Sequence, residues 1–221
     1  MFNKDEYLDD VFSSPDAPRV IEEANNRLKI EQKRRENFYN EIDEQQKVEF
    51  INGEVIFHSP VRIEHNDVTG NLYKLMDTFV DIHDLGKVGF EKIMVKFPRN
   101  DYEPDIVFFD KNKSKDFEKG QVLFPVPDLV VEVLSKGTEK RNRGIKFTDF
   151  ENNGVQEYWI IHPFEKFVEQ YILKNKKFEL VKKTDDGHIE SKAIQGFSVD
   201  VDAIFDTKKN RLALSKILNA E

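Results

Sequence analysis

PDLVVEVLSKGTEKRNRGIK, residues 127–146, decides how the chain is read. Leu129-Val130-Val131 and Val133-Leu134 form an apolar run without proline, the pattern of a strand buried on both faces. One carboxylate, Glu132, interrupts that run. Such a carboxylate is costly unless it is paired, hydrogen-bonded or bound to a cation. The stretch then passes through Ser135-Lys136-Gly137-Thr138 into a basic segment, helical by pattern, that ends at Lys146.

Working outward, Pro104-Asp105 leads into Ile106-Val107-Phe108-Phe109, a second buried strand with a carboxylate at its entrance. The basic helix should run from Thr138 to Gly154, and Glu157 to Ile161 forms the next strand. Phe167–Leu173 and Lys177–Val181 pair as a hairpin, and Arg211–Leu218 closes the chain as a helix. Upstream, Val68, Leu72, Leu75, Met76 and Phe79 make one apolar stripe on a helix over 63–84, with His65 on the same side. Val88–Phe97 reads as one strand. Val48–Ile51 and Glu54–Phe57 flank Asn52-Gly53 as a tight hairpin. Arg19–Gln46 is a helical extension with a thin stripe of Val20, Ile21, Ala24, Leu28 and Phe38. Met1–Pro18, broken by Ser13-Ser14-Pro15, reads as a loosely held arm. The expected architecture is mixed α/β around one sheet. Residues 1–46 form an arm and helical extension, and residues 47–221 form the main domain.

The chain has 221 residues, 38% hydrophobic and 34% charged, which suffices for one packed core. It contains no cysteine, so disulfide frameworks and thiolate zinc sites are excluded. No run reaches membrane-spanning length, and Met1–Asp10 lacks a signal-peptide pattern, so a soluble cytoplasmic protein is expected. The net charge of −8 argues against non-specific nucleic-acid binding over the whole surface, though a local basic groove is compatible with it.

Asp105 and Glu132, if brought side by side by neighbouring strands, offer oxygen ligands to a hard divalent cation such as Mg2+ or Mn2+. Such an ion can activate water and neutralise phosphodiester charge, and a nearby lysine would add to that stabilisation. Asp128 repeats the Pro-Asp dipeptide, but it lies roughly 13 Å from Glu132 along one strand, so the two cannot share an ion. Glu54 is a candidate third metal ligand, and His65 an accessory residue. Lys136, Lys140, Arg141 and Arg143 crowd the segment beside the site and are candidate phosphate contacts. Tyr158 and Trp159 read as core.

Pro104-Asp105, then Glu132 within PDLVVEVLS, then a basic helix with Lys146, then GVQEYWIIHP, together resemble the Uma-type family of putative restriction endonucleases, in the PD-(D/E)XK nuclease-like superfamily. The resemblance extends upstream through EFINGEVIFHSP and the His65 helix, covering about Phe38 to Ile172. It implies a restriction-endonuclease-like core, a central mixed sheet flanked by helices, with a magnesium site on its central strands. Asp105 matches the motif aspartate and Glu132 the motif acid. The motif lysine should stand two residues later, about 6.6 Å along the same face, but Leu134 is there. Relatives of this type are similar in carrying the lysine on the following helix, where Lys146 matches. Asn142 stands where the family often has an aspartate.

Two functions follow as expectations. The first is a metal-dependent endonuclease acting on nucleic acid, DNA first, with Asp105 and Glu132 on one cation and Lys146 assisting water. The second is a catalytically inactive binding or assembly module of the same fold, favoured by overall acidity and by Leu134. Convergence of Asp105, Glu132 and Lys146 speaks for the enzyme. A Glu132–Lys146 pair closed off from solvent speaks for the module. A homodimer formed through the long N-terminal helix and the edge hairpin is the expected assembly.

Overall fold

A computed structural model describes residues 4–42 and 46–219. The elements run α1 (Lys4–Ser13), α2 (Ala17–Glu41), β1 (Val48–Ile51), β2 (Glu54–Phe57), α3 (Ile63–Ile82), β3 (Gly86–Phe90), β4 (Met94–Lys96), β5 (Asp101–Tyr102), β6 (Ile106–Asp110) and α4 (Lys111–Ser114). They continue with β7 (Leu123–Phe124), β8 (Leu129–Val133), α5 (Glu139–Arg141), a π-helical turn (Asn142–Lys146), α6 (Phe147–Asn152), β9 (Glu157–His162), β10 (Phe167–Lys174), β11 (Lys177–Thr184), β12 (His188–Glu190), β13 (Ser198–Asp200), α7 (Val201–Phe205) and α8 (Thr207–Leu218).

The central sheet has the order β11-β10-β9-β8-β6-β3 and is mixed, β8 and β9 being parallel and the other neighbours antiparallel. Alternation along β6 and β8 sends side chains to opposite faces. Ile106, Phe108, Leu129, Val131 and Val133 pack with α3, α7 and α8 residues such as Leu72, Leu75 and Ile204. Val107, Phe109, Val130 and Leu134 pack on the other face with Val95, Tyr102 and Phe150. Those last residues come from a second sheet, β2-β1-β5-β4-β7, and from α6. The single sheet expected from sequence is therefore joined by a second one, stacked on its Val107–Val130 face.

Local chemistry explains the departures. Glu91 and Lys92 adopt left-handed φ of 46° and 42°, which turns the chain after β3 and splits the expected Val88–Phe97 strand between the two sheets. Asn52 and Gly53, at φ 51° and 84°, form the expected two-residue hairpin turn. Ser13-Ser14-Pro15 ends a helix, α1, instead of leaving a loose arm. The helix expected over 19–46 runs from Ala17 to Glu41, and residues 43–45 of that expectation lie outside the described residues.

The C-terminal end of α2 is fastened to the body by a buried ion pair. Arg35 places Nε and Nη2 each 2.6 Å from the two oxygens of Asp101, a bidentate geometry. The same guanidinium donates to the carbonyls of Phe97, Pro98 and Asn100, and Tyr39 Oη donates to Asp101. Asp101 is fully buried, so removing its partner strands a charge. Arg35→Ala should cost about 3–5 kcal/mol in urea denaturation, and a loss within 1 kcal/mol would show that the pair does not hold α2 in place.

Candidate metal and catalytic site

β6 and β8 pair with Ile106 opposite Val131, and one further step of that register sets Asp105 opposite Glu132 on the face that meets the second sheet. Both carboxylates are buried. Asp105 Oδ2 accepts from the Val133 amide at 2.8 Å and lies 3.1 Å from His65 Nε2, in the first turn of α3. Its Oδ1 accepts from Lys47 Nζ at 2.9 Å. Glu132 Oε1 accepts from Lys146 Nζ at 2.7 Å, and Oε2 from Asn142 Nδ2 at 3.3 Å.

Lys146 and Asn142 bound the π-helical turn, and both are buried. π-turns recur at functional sites because they re-aim side chains that a regular helix would turn away. Here both ends of one turn reach the two oxygens of one carboxylate. The Tyr158 hydroxyl donates to the Asn142 carbonyl at 3.2 Å, fixing that turn onto β9.

A third carboxylate completes the cluster. Glu49, on β1, puts Oε1 2.6 Å from Lys146 Nζ and Oε2 3.0 Å from His58 Nε2. It also accepts from the Glu103 amide, and Arg141 Nη1 lies 3.8 Å from Oε2. Glu49 is fully buried. Lys146 thus sits between acids from two different sheets, with its Nζ 5.5 Å from the centre of the Tyr102 ring.

The electrostatics follow from burial and from how the cations are shared. Burial would raise the Asp105 carboxyl, but Lys47 and His65 hold it well below the usual carboxylate range. Burial would likewise raise Glu49, but Lys146 and His58 hold it down to about 2. Glu132 is pushed up to about 7 by burial, against the pull of Lys146 and with help from the charges of Asp105 and Glu49. Burial also pushes Glu103 up to about 7. Burial would lower Lys47 and Lys146, yet the surrounding acids hold both above the usual lysine value.

The structure brings Asp105, Glu132, Lys146 and His65 together. It does not bring Glu54 to them: that side chain is exposed at the start of β2, and the buried acid of the hairpin is Glu49. Among the candidate phosphate contacts, Arg143 is engaged by Glu139 and Glu169, and Arg141 leans toward Glu49, while Lys136 and Lys140 are exposed. Lys47, Glu49 and His58 are site residues that the sequence reading passed over. The signal for Glu49 was present, a lone carboxylate within Val48-Glu49-Phe50-Ile51.

The donor set suits a hard divalent cation. Mg2+ takes one or two carboxylates and completes its shell with water and substrate oxygens. Asp105 and Glu132 supply that pair, and no group of three His, Asp or Glu ligands occurs among the described residues. Two polar atoms of residues touching these acids, His65 Nδ1 and Asn142 Oδ1, are buried without a hydrogen-bond partner. Each such orphan costs about 1–3 kcal/mol, which favours a site that receives a further polar group.

Comparison with known proteins places the chain in a class. Residues 35–202 match the model of the Uma2 family, described as "Putative restriction endonuclease", and the chain belongs to that family. In the crystal structure of a protein described as a putative nuclease belonging to DUF820, from Anabaena variabilis, the same fold recurs with a TM-score of 0.65. The match covers 76% of this chain and 94% of that one at 19% identity. No curated protein matches. Among the described residues no helix is long and apolar enough to cross a membrane.

The raised Glu132 carboxyl has a measurable consequence. An unperturbed carboxyl ionises near 4.5 and the folded one near 7, so the folded chain holds the extra proton in between. That contribution to stability is present at low pH and is lost as pH rises through the window, with a slope of up to about 1.4 kcal/mol per pH unit. Wild type should therefore lose stability relative to Glu132→Gln between pH 5 and 7 in urea unfolding. Parallel pH profiles for the two proteins would contradict the assignment.

Proposed function

We propose that this protein is a metal-dependent endonuclease that hydrolyses phosphodiester bonds of nucleic acid, DNA first. The observation that carries the reading is the set of Asp105 and Glu132, opposed on neighbouring strands, with Lys146 Nζ 2.7 Å from Glu132, in a chain of a restriction-endonuclease family. Asp105 and Glu132 would hold one Mg2+ or Mn2+. When bound, that ion supplies Lewis acidity and lowers the pKa of water.

The chain's own residues do the rest. His65 and the Val133 amide fix the orientation of Asp105 through Oδ2. Lys146 keeps an ammonium at the site, where it donates to the attacking water and balances the negative charge that develops on the phosphate. Glu54, an expected third ligand, drops out of the metal set. Lys136 and Lys140, exposed beside the site, are free to meet backbone phosphates. A DNA substrate and a cysteine-free chain both fit the cytoplasm.

A second reading keeps a specific observation in its favour. The Glu132–Lys146 pair is closed from solvent, and Leu134 fills the motif lysine position within the core. That combination also fits a nuclease-fold binding module whose site has become an internal ion-pair network.

Calorimetric titration with MgCl2 or MnCl2, together with cleavage of supercoiled plasmid, separates the two. The enzyme reading expects cation binding that disappears in Glu132→Ala, with cleavage reduced about 100-fold or more in Glu132→Ala and Lys146→Met. Wild-type protein that neither binds the cation nor nicks the plasmid would leave the module as the correct reading.

A further inference from the structure

Every residue from 18 to 30 of α2 is exposed, on all sides of the helix. These thirteen residues span about 20 Å and none of them is buried, although α1 adjoins their N-terminal end, where Ala17 is buried. A helical piece of that length is marginal in water without a packed face. The family match begins only at residue 35, so this piece is an addition to the shared domain.

It nevertheless carries a regular apolar seam. Ala17, Ile21, Ala24, Leu28, Glu31, Arg35, Phe38 and Ile42 recur at alternating spacings of four and three, the pattern of a helix built to lie along another surface. The C-terminal half of the seam is seated. Glu31 holds Arg99 through two bonds, Arg35 holds Asp101, Phe38 packs 5.5 Å from Phe50, and Ile42 joins the same cluster. Between the buried Ala17 and that seated half, the same line runs through solvent, where Ile21 and Leu28 are 39% and 50% exposed and Val20 beside them is 45% exposed.

Charges flank the seam in a self-complementary order. On one side lie Asp16, Glu23, Arg27 and Arg34, two acids followed by two bases, all exposed and spaced to share that flank. The other flank carries the uncharged Asn25 and Gln32. Within one chain Glu23 pairs with Arg27 and Asp16 with Arg19. An identical helix laid antiparallel, with the two-fold axis near Ala24 and Asn25, sets each Glu23 also beside the other copy's Arg27 and each Asp16 beside its Arg34, so that these charges are shared between the copies. It also packs Ile21 against Leu28, and the small Ala24 lets the axes approach to about 8–10 Å. The charges of this segment are mixed, which argues against nucleic acid as the occupant.

We propose that residues 16–34 of α2 pair antiparallel with the same segment of a second copy of this chain, making the protein a homodimer through a two-fold helical seam. The inference is independent of the nuclease reading. With one short helical segment from each copy in contact, association in the micromolar range is expected.

Sedimentation velocity on the full chain at tens of micromolar tests it. Wild type should run at twice the 26.0 kDa chain mass. Ile21→Asp with Leu28→Asp should run as monomer while still unfolding cooperatively, since neither site belongs to the buried core. Glu23→Arg should weaken dimerisation about tenfold or more, and adding Arg27→Glu should restore it. A monomeric wild type would overturn the proposal and mean that a different partner takes this face. A dimer that survives the double aspartate variant, or that the charge swap fails to restore, would also overturn it.

Discussion

A single ammonium group, that of Lys146, bridges carboxylates on the two larger sheets of this protein. Lys146 Nζ lies 2.7 Å from Glu132 on the central sheet and 2.6 Å from Glu49 on the second sheet. None of the three side chains reaches solvent to any useful extent, so none can be replaced by water. A buried charge without a partner costs several kcal/mol, which makes the triad an obligatory joint. The rest of the polar interior is arranged to complete it. His58 Nε2 lies 3.0 Å from the second oxygen of Glu49, and Asn142 donates to the second oxygen of Glu132.

That joint leaves the site short of positive charge. Three carboxylates, Glu49, Asp105 and Glu132, share two ammonium groups, Lys47 and Lys146; Lys47 also lies 3.5 Å from Glu91, and the Arg141 guanidinium stays 3.8 Å from Glu49. Burial would lower the His65 imidazole, but Asp105 holds it above its usual value. Glu49 and Asp105 win this competition and are held low, while Glu132 is pushed up to about 7. The acid with the weakest claim on the internal cations is therefore the one that stands opposite Asp105 on the neighbouring strand. A divalent cation between them would relieve the shortage, whereas a neutral ligand would not. The same shortage explains why a closed Glu132–Lys146 pair does not by itself mark the site as inert.

How much of this was legible in the sequence depends on the range of each interaction. Glu132 and Asp105 were visible because a carboxylate within or at the edge of an apolar strand needs an explanation in any fold. The tight hairpin and α3 were visible because turn chemistry and helical periodicity are local. Glu49 obeys the same cost argument as Glu132, but sequence alone does not separate it from Glu54, because deciding between two acids of one hairpin requires knowing which face of β1 meets the central sheet. Lys47 was hidden for the same reason, since its partner Asp105 comes from a different sheet. The π-turn was not legible at all. It exists because Asn142 and Lys146 must both face one carboxylate, a demand that tertiary structure makes and helix propensity does not encode.

The position of Leu134 gains a physical reason from the second sheet. Along β8 and the residue that follows it, the side chains of Val130, Glu132 and Leu134 share one face, and Leu134 belongs to the cluster that includes Phe150, Tyr158 and Ile160. A lysine at that position would have to carry its charge through an apolar, aromatic layer. It would also reach Glu132 along its own strand, with no route to β1. A lysine on the helix that covers the sheet approaches from above, between the two sheets, where its three donors can meet acids on both. The placement of the cation on the helix and the stacking of the second sheet are thus one arrangement. Each is stable because the other is present: Glu49 needs a cation at that height, and Lys146 needs a second acid to justify its burial.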